Sequence, residues 1–325
     1  MDAVGCAPYG ATRRMAKRTG GLFMKIFITG ASGYIGGTLA EKLIARGHNV
    51  SGLVRSEEKA ALLSQRGITP VLGDLDNADV LAGAARQADA VFNTANADHR
   101  PSVETMLNAL QGTDKFFLHT SGAGIVADMA GGVLRPAVYD ETTQVIPLPA
   151  RAPRLALIED IRAFAKNGVR TVVVAPPMIY GKGMGLHPHS IQIPKMITVA
   201  RDNGIAKHVG PGTNLWSCVH VDDLAELYLA ALERAPAGAF YYAENGTENS
   251  MHDITETIAR MIGWGVKTQG LSLPDAYAVY GEIPVKLSFG SNVRVRAVRA
   301  RQELGWAPAQ KPLLEEIEHG SYAAK

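Results

Sequence analysis

The chain has 325 residues, with 33 basic and 31 acidic side chains and a formal charge of +2; hydrophobic residues make up 46% and charged ones 20%. These are the proportions of a globular protein with ample material for a core. The near balance of charge argues against a nucleic-acid partner, and no stretch nears the roughly 18 apolar residues that cross a bilayer; two cysteines, Cys6 and Cys218, make no disulfide framework, which fits a reducing cytoplasm.

Residues 1–23 carry Arg13, Arg14, Lys17 and Arg18 against one acid, Asp2, with no continuous apolar run. They read as a disordered tail or as translation from an upstream start, with Met24 standing where a chain would begin. From there strands and helices alternate. Residues 25–29 form a short β-rich run. Residues 34–46 place Ile35, Leu39, Leu43 and Ile44 on one helical face and stop at Gly47. Strands follow at 49–54, 68–72, 88–93, 115–119 and 170–175, with helices at 57–66, 78–86, 101–111 and 154–166 between them. The strands are nearly all apolar, as expected when helices cover both faces. Short connections imply parallel strands joined by right-handed crossovers. The fold class is α/β, a doubly wound parallel sheet whose ligand sits beyond the C-terminal strand ends, where the strand order reverses.

Beyond Tyr180 the pattern breaks into a segment rich in Gly, His and Pro. A strand at 217–220, a helix at 222–234 capped by Asp222, and a seventh strand at 238–243 then return. Ser250 and Asp253 make a capping box for a helix ending at Ile262, and 286–289 is a strand candidate. The expected division is a nucleotide-binding domain at 24–180, to which 216–243 returns, and a smaller substrate-binding lid from 181–215 and 244–325.

The strongest chemical signal is Gly30-Ala31-Ser32-Gly33-Tyr34-Ile35-Gly36, placed directly between the first strand and the first helix. Gly30 permits a tight turn, Gly33 removes a side chain where a pyrophosphate approaches the backbone, and Gly36 lets the helix pack close to the sheet. The phosphates then face free N–H groups and the positive end of the helix dipole. At the end of the second strand, an acid would bind a ribose 2′-hydroxyl. This chain has Arg55 there, suited to a 2′-phosphate and to stacking on adenine. The cofactor expected is NADP, with NAD as the alternative.

Together GASGYIGG (30–37), GDLDN (73–77), NTANA (93–97), LHTSG (118–122), PPMIYGKG (176–183), VHVDDLAELYLAALE (219–233) and ELGWAP (303–308) resemble the extended short-chain dehydrogenase/reductase superfamily. The likeness is to its nucleoside-diphosphate-sugar epimerase/dehydratase-like members and covers nearly everything from Lys25 onward. It implies a Rossmann-type fold and an NAD(P)-dependent oxidoreductase acting on a small-molecule carbonyl or hydroxyl substrate. It further implies that Asp74 and Leu75 flank the adenine, and that Thr94, Ala95 and Asn96 run under the ribose and nicotinamide side. Thr120 and Ser121 then lie by the nicotinamide, and Pro176 and Ile179 by its carboxamide. A homodimer through a helix pair is common in the superfamily.

The family's proton-transfer pair is absent. A phenol titrates near 10 when unperturbed, and a lysine four residues later on the same helix lowers it. No Tyr-x-x-x-Lys occurs in this chain; Arg151 and Leu155 stand roughly where that pair belongs, and Gly122 near the place of the usual serine. Ser121 remains as a group to orient a carbonyl, and Tyr139 as a phenol on the loop before the expected catalytic helix. Tyr180 and Arg154 are further candidates, the latter for an anionic substrate or developing negative charge. His187 and His189 read as surface residues, and no metal site is expected. Two functions remain open: a reductase or epimerase-like oxidoreductase, and a non-catalytic NAD(P)-binding redox sensor.

Overall fold

The computed structural model describes residues 23–323, so the expectation for the basic leader lies, Phe23 apart, outside the described residues. Strands Lys25–Thr29 (β1), Asn49–Val54 (β2), Thr69–Leu72 (β3), Ala90–Asn93 (β4), Phe116–Thr120 (β5) and Arg170–Ala175 (β6) alternate with helices Tyr34–Ala45 (α1), Glu57–Gln65 (α2), Ala78–Gln87 (α3), Arg100–Leu110 (α4) and Ala152–Ala163 (α5). Strand Met178–Tyr180 (β7), helix Gln192–Asn203 (α6), strands Ala206–Val209 (β8) and Leu215–His220 (β9), helix Val221–Arg234 (α7) and strand Ala239–Tyr242 (β10) come next. Glu248–Ser250 (β11), Met251–Ile262 (α8) and Thr268–Leu271 (β12) follow them.

Seven strands form one parallel sheet in the order β10-β6-β5-β4-β1-β2-β3. Phe27, Ile28, Val91, Phe92, Phe117, Leu118, Val172 and Val173 are fully enclosed, which explains why these strands are apolar without alternation. The order turns back between β1 and β4, and the glycine turn leaves β1 at that point.

Of residues 216–243, β10 extends the main sheet beside β6 and α7 joins α1, where Lys42 meets Asp222 at 3.3 Å and Arg46 meets Glu226 at 2.7 Å. β9 stays outside that sheet: it pairs with β7 in parallel and with β11 in antiparallel fashion. β8 and β12 form a separate parallel pair.

Local expectations differ from the structure at two places. Asp222 does not cap α7; the cap is His220, whose Nδ1 accepts the Asp222 N–H at 3.1 Å, freeing the Asp222 carboxylate for Lys42. Residues 285–289 form a π-helical turn rather than a strand. Val285 and Phe289, four apart, are its buried residues, and the Gly290 N–H returns to the Val285 carbonyl at 2.9 Å. The Ser250 cap on α8 is present, accepting the Asp253 N–H at 2.9 Å.

Candidate active site

The site is built first from the turn after β1. Gly30 has φ +79, a left-handed conformation open to glycine, and its carbonyl accepts the Gly33 N–H at 2.8 Å. At Gly36 a Cβ would fall 2.4 Å from both the Gly30 carbonyl oxygen and Thr94 Oγ1, so the helix approaches the strand ends as only glycine allows. α1 starts at Gly33 with no side-chain cap and no acid in its first turn. Its opening N–H groups are therefore available to an anion, and the dipole favours one.

A groove of about 580 Å³ opens over this turn. Of the residues expected around the cofactor, Gly30, Ser32, Gly33, Arg55, Asp74, Leu75, Thr94, Ala95 and Asn96 line it. Tyr34, Ile35, Gly36, Thr120, Pro176 and Ile179 are not among its lining residues. Lys59, His99 and His187 line it too, and the sequence reading had not placed them there. Lys59 is the third residue of α2, in the helical turn that follows Arg55 and the Ser56 cap. Its N–H bonds the Ser56 cap of α2, so Arg55, Lys59 and that helix start share one edge of the groove. Beside them, just past the end of β3, the Asp74 carboxylate accepts the N–H groups of Asp76 and Asn77 at 2.9 and 3.1 Å. A dinucleotide fits this architecture: a glycine cradle for the pyrophosphate, and cations at the end of β2.

Several hydroxyls are already committed. Thr94 Oγ1 donates to the Thr29 carbonyl at 2.7 Å, and Thr120 Oγ1 pairs with the Tyr228 hydroxyl of α7 at 2.8 Å. Tyr34 donates to the Gly181 carbonyl at 2.8 Å, while Tyr180 donates to the Lys311 carbonyl at 2.7 Å and stacks edge-on against His220. Burial raises both phenols above their usual range. Tyr139 is pinned through its backbone, its N–H to the Arg294 carbonyl and its carbonyl to the Arg296 N–H.

At the end of β5 the arrangement differs. Ser121 is 7% exposed, and its Oγ has no hydrogen-bond partner. The turn that follows is held by the Ala123 N–H on the Pro176 carbonyl at 2.9 Å. Two arginines from the start of α5 reach it: a Cβ on Gly122 would lie 3.2 Å from Arg154 Nη1, and one on Gly124 3.7 Å from Arg151 Nη2. Arg154 forks onto Asp98, Nε to Oδ1 at 2.7 Å, and this bond holds the Asp98 carboxyl below the usual carboxylate range. Arg151 makes no such pair: its enclosed Nε has no partner. Burial and then the adjacent Arg154 lower its basicity. Beneath the turn, burial pushes His119 down to about 4, and its Nδ1 meets the Asn93 amide at 3.0 Å.

A family model for the NAD-dependent epimerase/dehydratase family matches residues 26–241, and the chain belongs to that family. It is 30% identical to an uncharacterised Schizosaccharomyces pombe protein over 312 residues, covering 92% of this chain and 100% of that one. It is 29% identical to the 4-hydroxy-2-methyl-3-oxo-4-farnesyl-3,4-dihydroquinoline-1-oxide ketoreductase of Stigmatella aurantiaca, covering 87% and 92%. The fold is that of dTDP-glucose 4,6-dehydratase from Bacillus anthracis, solved in complex with NAD, with a TM-score of 0.71, 16% identity and coverage of 91% and 94%. Among the described residues, no helix is long and apolar enough to cross a membrane.

Proposed function

We propose that the protein is an NADP-dependent reductase of small carbonyl compounds, and that its lid is drawn from 181–215 and 244–325. The observation that carries this reading is the groove itself: an uncapped helix start behind a glycine turn, with Arg55 and Lys59 at the end where a 2′-phosphate would lie. The similarity to a ketoreductase supports the direction of the reaction.

A nicotinamide held over this groove would supply hydride chemistry, and the oxygen of a reduced carbonyl would need one proton. The Ser121 hydroxyl, enclosed and unpartnered, holds that oxygen, with water as the proton source. Arg151, which has no ion-pair partner among the described residues, provides the positive field that favours the developing negative charge, while Arg154 is tied to Asp98. Tyr139 is the second candidate for contact with substrate. The test is NADPH oxidation over a panel of ketones, aldehydes and oxo acids, with Ser121→Ala and Tyr139→Phe beside the parent. Ser121→Ala is expected to lower kcat by about 10- to 100-fold. Bound NADPH that no member of the panel oxidises would contradict the reductase.

One observation favours a second reading. Arg151 and Leu155 occupy the helix positions where the resemblance puts a tyrosine and a lysine, so the chain lacks the usual proton relay. A sensor that binds NADPH without turnover needs no relay, and the same panel distinguishes the two.

A further inference from the structure

Arg154 and Arg151 lie three residues apart at the start of α5, yet their circumstances are opposite. Arg154 is neutralised by the Asp98 fork. Arg151 is half-buried, and its side chain makes no hydrogen bond or ion pair among the described residues. Holding an unpaired guanidinium partly out of water is costly, and a second cation nearby adds to the cost. Arg151 also forms the cap position of α5, whose first turn offers little to an anion: the Ala152 N–H already bonds the Leu148 carbonyl at 3.1 Å, and Pro153 has no N–H. Its guanidinium lies along Gly124, so no side chain from that turn covers it. Three residues earlier in the same turn sits the unpartnered Ser121 hydroxyl, itself more than nine-tenths buried. The groups around this turn therefore comprise one planar cation with no hydrogen-bonded or ion-paired partner and one free hydroxyl.

We propose that the substrate is an oxo acid whose carboxylate is received by Arg151 while its carbonyl oxygen lies on Ser121. The guanidinium fork matches a carboxylate in two parallel hydrogen bonds, which fixes the carbonyl's orientation as well as its affinity. A neutral ketone leaves Arg151 uncompensated, so the site discriminates against it. The proposal rests on the reductase reading above and narrows its substrate class.

The experiment uses matched pairs: acetoacetate with ethyl acetoacetate, and 2-oxobutanoate with its ethyl ester. Turnover is read as NADPH loss, and binding to the NADP⁺-loaded full chain is read by calorimetry. Acids are expected to exceed their esters about 10- to 100-fold in kcat/KM or affinity, the value of a charge-assisted fork. Arg151→Gln is expected to collapse that ratio toward one, chiefly through KM, and Arg151→Lys to restore part of it. A purely structural arginine would instead weaken acids and esters alike and leave the ratio intact, which overturns the proposal. Equal binding of acid and ester by the parent overturns it as well. If acids bind with the expected preference but are not reduced, the carboxylate site stands and the reductase reading fails. If NADPH does not bind, the coenzyme reading fails and takes this proposal with it.

Discussion

The Tyr34 hydroxyl donates to the Gly181 carbonyl at 2.8 Å, tying the first turn of α1 to the loop that leaves β7. Gly183 and Gly185 of that loop lie against Tyr34 and Gly37, where a Cβ on either would fall within 2.7 Å of them. The loop that brings His187 to the groove is thus seated on α1, the helix that opens beneath that groove. Tyr34 is accordingly a strut and not a proton donor. Tyr34→Phe should cost about 1 kcal/mol of stability by leaving a buried carbonyl unpaired, while kcat stays within about threefold of the parent. Urea unfolding and steady-state rates measure both. A loss of 100-fold in kcat with the fold intact would instead make Tyr34 catalytic.

Gly36 and Gly83 make a contrasting pair. A Cβ at Gly36 strikes backbone at 2.4 Å, whereas at Gly83, inside α3, it meets nothing within 4 Å. Gly36→Ala should destabilise by about 1–3 kcal/mol and weaken NADPH binding at least about tenfold. Gly83→Ala should stabilise by about 0.5–1 kcal/mol and leave binding alone. Denaturation midpoints and calorimetric affinities measure the difference.

Arg55 and Lys59 line the groove, and the proposed preference for NADP rests on them. The double variant Arg55→Ala/Lys59→Ala should lose about 10- to 100-fold in NADPH affinity and change little toward NADH. Parallel titrations with both coenzymes give the ratio. Equal loss for both would remove the 2′-phosphate assignment.

His119 sets a pH dependence of stability. Burial depresses its folded pKa to about 4, from an unfolded value near 6.5. Between these values the unfolded chain binds the proton and the native chain does not, so stability falls as pH drops from about 6.5 to about 4. The ceiling is roughly 3 kcal/mol, and below the folded pKa this contribution changes no further. His119→Gln should flatten that limb relative to the parent, whatever it does to stability at neutral pH. Urea unfolding across the window reads the slope, and an unchanged slope would place the lost stability on other groups.

The inner strands of the central sheet were legible in the sequence because they are buried on both faces and their apolar runs stand out between the helices, whereas the edge strand β3 is not enclosed. The glycine turn was legible for the same reason, flanked by the strand and helix it requires. α6 was hidden: it opens at Ile191 without a side-chain cap and carries Pro194 in its first turn. β11 and β12 are three and four residues long, and most of β12 is in contact with water, so neither shows an apolar run. The 285–289 segment alternates like a strand, yet its two buried residues are also four apart, and so short a run fits either period. The sequence located Arg151 and Arg154 but not which was free. That depended on Asp98, 56 positions from Arg154, arriving beside one of them through the crossover after β4.

The most direct test is calorimetric titration of the folded protein with NADPH, NADP⁺, NADH and NAD⁺. Saturable binding of one NADPH per chain, tighter than NADH, is expected. Absence of binding by all four coenzymes would contradict the assignment of the groove over Gly30–Gly36 as a dinucleotide site.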